Sequence, residues 1–310
     1  MKKIFVFAFV VFFVFSGLSA DGFFNGLNVQ VEVGGETFSG PVRINNFNAF
    51  RYDMAYSYTD DEYSYLDIYT LSFNCINAVE KQNRVFAMVK ISGGGICEVY
   101  GKIGMVQFTE VIHGGLKVRW HDELSYRDVK GYQYLEYMGN SITSQPYNAP
   151  FWGIGAKIYL IKAKKITFSV NADYSTFRVK KFGMDLLYNN EEFLWETDRY
   201  IDKIVVDFDG ARNETLKLGA QIDIHGENIS PWMNIGYVLY ETELEGKYTT
   251  RFISNAESFD QQKFSTKSQL VNNILLSTGI KFKVAKNFEL EATASLGAFN
   301  GAGLYWKIFL

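Results

Sequence analysis

The sequence predicts an all-β protein: one antiparallel up-and-down β-barrel crossing a membrane, with about ten strands and twelve as the alternative. Three observations predict it. Apolar and polar residues alternate with period 2 through stretches of suitable length. The turns between these stretches are short and long in alternation. Aromatic residues make up 17% of the chain while Pro occurs only 4 times, which suits long strands that keep their ladder donors.

In chain order, Lys2 and Lys3 precede an apolar run from Ile4 to Phe15 and a small-residue segment, Ser16 to Ala20. That layout predicts a cleaved signal peptide over 1–20 and a mature barrel over 21–310. The apolar run is too short to span a bilayer as a helix, and no long apolar run follows it. One ill-defined strand is expected before residue 60. The Tyr/Asp-rich stretch from Tyr56 to Tyr69 reads either as loop or as a further hairpin.

Nine strands follow, at approximately 83–92, 96–108, 151–161, 165–177, 215–225, 231–244, 269–284, 287–297 and 302–310. The clearest is 215–225: Leu216, Leu218, Ala220, Ile222 and Ile224 share one face, and Lys217, Gly219, Gln221, Asp223 and His225 the other. Short turns are expected at Gly93-Gly94-Gly95, 162–165, 226–229 and 285–287. Long polar loops are expected at 109–150, 178–214 and 247–268. An even strand count puts both termini and every short turn on one side.

The last strand, Leu304-Tyr-Trp-Lys-Ile-Phe-Leu310, alternates to its end, and resembles the closing strand of bacterial outer-membrane β-barrels. The hairpin Met88-Val-Lys-Ile-Ser-Gly-Gly-Gly-Ile-Cys-Glu-Val-Tyr-Gly-Lys-Ile-Gly104 is similar to a recurring element of the small members of that group. So are Gly153-Ile-Gly-Ala-Lys157 and Ile229-Ser-Pro-Trp-Met-Asn-Ile-Gly-Tyr237. The resemblance covers most of 83–310 and not 21–82. It implies residence in the outer membrane with outer-membrane lipid as the surrounding partner, and it carries no functional residue.

The polar faces define a lumen. Lys90, Lys102, Lys157, Lys217, Lys281, Lys283 and Lys307 are expected to face Glu98, Asp173, Asp223, Glu289 and Glu291. Trp152, Tyr174, Tyr237, Tyr240 and Trp306 are candidates for the interfacial aromatic girdles. Two cysteines, Cys75 and Cys97, fall out of register and are read as unpaired.

The chemical signals are weak. Asp223-Ile-His225 with Asp60-Asp61 could suggest a protease of the omptin type, yet strand parity places the two pairs at opposite ends of the barrel. His113 and His121, with Glu110 and Asp122, match no strong metal-ligand spacing. No enzyme, cofactor or metal site is therefore expected. Acidic residues number 34 against 31 basic, two of which are Lys2 and Lys3, and no dense basic tract suggests a nucleic-acid partner. The expected function is a structural or surface-interaction barrel whose long loops contact an extracellular protein or glycan. The alternative is a narrow, porin-like passive pore.

Overall fold

The computed structural model describes residues 27–45, 50–60, 63–93, 95–124, 127–144, 146–186, 203–251 and 258–310. The predicted signal segment lies outside them. Among the described residues thirteen strands form one antiparallel sheet. They are β1 (Asn28–Asn45), β2 (Phe50–Asp60), β3 (Tyr63–Gly93), β4 (Cys97–Leu124), β5 (Arg127–Thr143), β6 (Tyr147–Lys162) and β7 (Ile166–Leu186). Then come β8 (Lys203–Ile224), β9 (Ile229–Arg251), β10 (Ser258–Leu270), β11 (Ile274–Ala285), β12 (Phe288–Gly297) and β13 (Asn300–Phe309).

Ten of these close a ring: β1, β13, β12, β11, β9, β8, β7, β6, β4 and β3, with β3 returning to β1. The expected strand count and the short turns near 94–96, 163–165, 225–228 and 286–287 are what the barrel has. The remaining strands add no staves. β2 continues the line of β1 along β3, β5 continues the line of β6 along β4, and β10 continues β11 along β9. The stretch around Tyr56 to Tyr69 is therefore the outer part of the first hairpin, so the twelve-strand alternative does not hold.

The outward faces form an apolar belt. On β9 it reads Ile229, Met233, Ile235 and Tyr237, on β8 Leu218, Ile222 and Ile224, and on β13 Leu304, Trp306 and Ile308, all exposed. An exposed apolar surface on this scale is stable only against lipid. Above it lies a polar collar. Thr37 donates to Asn83 (2.7 Å), Asn83 donates to Gln107 (3.1 Å), and Lys267 pairs with Glu241 and Glu243 (3.1 Å each). The membrane-spanning segments thus end near Gly35, Val85, Met105, Trp152, Tyr174, Leu216, Leu239 and Leu304.

Beyond that collar the strands continue, which corrects the expectation of loops over 109–150, 178–214 and 247–268. β4 runs to Leu124 and pairs with β5, β7 pairs with β8 as far as Leu186 and Ile204, and β9 pairs with β10 as far as Arg251 and Ser258. A hairpin that has begun to pair keeps gaining ladder hydrogen bonds after it leaves the bilayer. Among the described residues no pairing joins β5 to β7 or β2 to β10. Beyond the ends of β1 and β6 the outer wall therefore divides into two four-stranded sheets, β2–β3–β4–β5 and β7–β8–β9–β10.

The wall also loses two staves on the way out. β13 follows β1 to Ser39 opposite Asn300, and β10 takes its place from Val42 opposite Leu270. At the handover the Val271 amide donates to the Pro41 carbonyl (3.2 Å), and the Ala298 amide to that of Ile274 (2.6 Å). The short β12–β13 hairpin thus ends inside the barrel, with Ala298 and Phe299 buried. Gly40 permits this, because a Cβ there would lie 2.6 Å from the Ala298 carbonyl oxygen.

Candidate functional site: the lumen

Two zones fill the barrel interior. The lower zone, level with the belt, is a chamber of about 290 Å³ lined mainly by charged and polar side chains. Inward-facing glycines make room for long side chains lying across the bore. A Cβ on Gly155 would fall 2.1 Å from the Tyr100 ring, one on Gly279 2.6 Å from Trp232, and one on Gly34 2.5 Å from Tyr305.

The charges meet in specific pairs. Lys102 lies 2.7 Å from Asp173, which also accepts from the Tyr100 hydroxyl (3.0 Å). Asp223 receives Lys281 at 2.6 Å, Lys157 at 3.2 Å and the Gln221 amide at 2.9 Å. Lys90 bridges Glu32 (2.8 Å) and Glu98 (3.9 Å). Lys307 joins Glu289 (3.1 Å) and Glu291, and Glu291 accepts from the Trp232 indole (2.6 Å). Lys217 forms no ion pair among the described residues; its ammonium sits 5.5 Å from the Phe38 ring. Charges held away from water need partners, since an unpaired one costs several kcal/mol; this mesh supplies them from several strands.

These contacts bring together Lys90, Glu98, Lys102, Lys157, Asp173, Asp223, Lys281, Glu289, Glu291 and Lys307. They add Glu32, Glu36 and Arg84, which sequence reasoning missed. Arg84 is 1% exposed; it reaches Glu36 (3.6 Å), donates to Gln82 (2.8 Å) and Ser175 (3.2 Å), and lies over the Phe38 and Phe151 rings. Glu32 and Glu36 alternate with Gly34 on β1, a pattern visible in the sequence but diluted there by Gly and Ser.

Above the chamber, packed side chains reach across the bore. Phe38, Phe86, Phe108, Phe151, Phe177, Val238, Tyr240 and Phe299 are all buried in one cluster. Phe299 packs on Phe38 at 4.8 Å and on Tyr240 at 5.2 Å between ring centroids. Tyr240 was expected in a girdle. It is inside, because it shares its face with Val238 and Thr242, whereas Tyr237 points out. Tyr174 is on the outer face but 2% exposed, covered by Trp152 and Leu216 rather than open to the interface. Trp152, Tyr237 and Trp306 expose their rings on the belt.

The groups of the chemical alternatives stay apart. Asp223 is held by two lysines, and His225 meets Thr167 (2.6 Å) beside a short turn. Asp60 lies opposite Tyr63 at the far tip of the first hairpin; Asp61 is outside the described residues. His113 and His121 stand eight residues apart on β4, about 26 Å at ~3.3 Å per residue. Cys97 is buried and free; its register partner is Gly93, while that of Cys75 is Gly114.

The belt, the short turns on one side and the extended arms on the other decide the class. This is a transmembrane β-barrel of the outer-membrane kind. No protein-family model matches the sequence, and no characterised protein matches it at the sequence level. Among solved structures the chain is similar to the outer membrane protease OmpT from Escherichia coli, with 10% identity, 94% of this chain and 96% of that chain covered, and a TM-score of 0.39. It is similar also to the transport unit of the autotransporter AIDA-I from Escherichia coli (10% identity, 91% and 89% covered, TM-score 0.32). A third is the toluene transporter TbuX from Ralstonia pickettii (8% identity, 91% and 88% covered, TM-score 0.29).

Proposed function

We propose that this outer-membrane barrel is closed and non-catalytic, and that the two outer sheets form its working surface, contacting an extracellular protein or glycan. One observation carries the reading: the aromatic seal above the chamber. Phe38, Phe299 and Tyr240 join side chains from β1, the β12–β13 tip and β9 across the bore, and their near-complete burial supports a closed barrel. The charged chamber beneath is then a structural mesh, whose ion pairs tie staves together across the interior.

The refolded protein in planar bilayers tests this. Folded protein, identified by heat-modifiable gel mobility, is expected to give no discrete conductance. Salt-dependent single-channel steps that change on Lys217→Ala would overturn the closed reading and establish a narrow pore. For the surface role, the hairpin can be shortened where Gly114 pairs with Asn140. Removing 115–139 should abolish binding to cells or glycan arrays and keep the barrel folded; binding that persists would exclude that arm.

A further inference from the structure

We propose that Glu80 and Glu110 bind a hard divalent cation of the calcium type inside the wall, just outside the membrane belt. The two residues are register partners on β3 and β4 and face the same interior, so their side chains are cross-strand neighbours. Both are buried, at 1% and 0% exposure. Glu80 accepts hydrogen bonds from Ser268 (2.6 Å), Thr242 (3.2 Å) and Tyr240. Both carboxylate oxygens of Glu110 are buried with no hydrogen-bond partner.

Charge balance and donor chemistry point the same way. Among the described residues no Lys, Arg or His pairs with either carboxylate. Arg84, on the same strand face as Glu80, is committed to Glu36, Gln82 and Ser175. Two buried carboxylates with no cationic partner call for two positive charges, and a divalent ion supplies both. Every donor at hand is oxygen: four carboxylate oxygens and the Ser268 hydroxyl, whose proton points at Glu80 and whose lone pairs remain for a cation. Oxygen-only sets with several carboxylates select hard cations and suit calcium's variable geometry. Such an ion would tie β3 and β4 to β10, which lies beyond β1 in the ring.

The rival is a proton shared between the two carboxyls, which burial also favours. To separate them, the full chain is refolded in detergent free of lipopolysaccharide, stripped with chelator, and titrated with calcium by calorimetry. Terbium luminescence excited through tyrosine provides a second readout, since Tyr240 touches Glu80. The expected result is one saturable site per barrel, a calcium-dependent rise in the thermal unfolding midpoint, and binding weakened at least tenfold by Glu110→Gln. Ser268→Ala should weaken it severalfold, and Glu291→Gln should leave it unchanged. Wild-type protein that takes up no calcium at millimolar concentration overturns the proposal in favour of a shared proton, as does calcium binding that survives Glu110→Gln. If Glu110→Gln does not fold, wild-type binding together with Ser268→Ala decides.

Discussion

Phe299, at the tip of the β12–β13 hairpin, meets the Tyr240 ring edge-on with 5.2 Å between centroids. The contact joins the shortest hairpin of the barrel to one of its long staves, at the level where the wall narrows. Truncation to Phe299→Ala should cost about 3 kcal/mol or more, the usual range for emptying a packed aromatic site. Urea unfolding in liposomes measures this. Conductance should remain absent, because Phe38, Phe86 and Phe151 still fill the bore; channel activity in the variant would mean that the seal is one side chain thick.

Lys102, buried on β4, pairs with the part-buried Asp173 on β7. Replacing either one alone leaves an uncompensated charge and should destabilise by about 3–5 kcal/mol. The double variant Lys102→Met, Asp173→Leu should recover most of that loss, and a double-mutant cycle on unfolding free energies reads the coupling. Additive single effects would show that the two residues act separately.

Gly155 lies under the Tyr100 ring, where a Cβ would come within 2.1 Å. Gly155→Ala should therefore displace the ring and lose roughly 1–3 kcal/mol, the ordinary cost of overpacking. Trimming the ring with Tyr100→Ala in the same chain removes the clash, so Gly155→Ala should then be close to neutral. An equal penalty in both backgrounds would trace the effect to the backbone instead.

Glu110 lies beyond the belt, and burial, reinforced by the neighbouring Glu80 charge, holds its carboxyl well above the ordinary range. The folded state therefore binds a proton that the unfolded state has already released. In chelator, stability should be greatest below the ordinary carboxylate value and fall as pH rises toward the raised one, by up to about 1.4 kcal/mol per pH unit for one proton. Urea midpoints between pH 5 and pH 7.5 report the slope. Glu110→Gln should flatten it, and saturating calcium should remove it from the wild type.

Much of the barrel was legible in the chain. The strands 215–225, 274–283 and 288–296 are recognisable because lipid on one side and a polar interior on the other impose opposite chemistry on successive residues. β1 was obscure because Gly35 interrupts its outward apolar face and Gly34 and Gly40 its inward one. The outer part of the first hairpin was obscure for another reason: its Tyr/Asp-rich sequence lacks the continuous apolar face that contact with lipid imposes, so it reads equally as loop or strand. Tyr240 was misplaced because an aromatic near the belt edge suits either face; counting from Tyr237 shows that it must point inward. Glu80 and Glu110 gave no local sign, since their closeness depends on β3–β4 register over a long hairpin.

While the compartment was what the resemblance of the last strand implied, period-2 patterning by itself determined the strand count and the facing of most residues in the strands it marked out from 83 onward. These are local consequences of each residue's contact with lipid or lumen. Tertiary structure alone decided which Lys meets which carboxylate, that the β12–β13 hairpin stops short, and that Phe299 meets Phe38 and Tyr240. Those outcomes depend on the stagger between distant strands when the sheet closes on itself, and no single strand encodes that stagger.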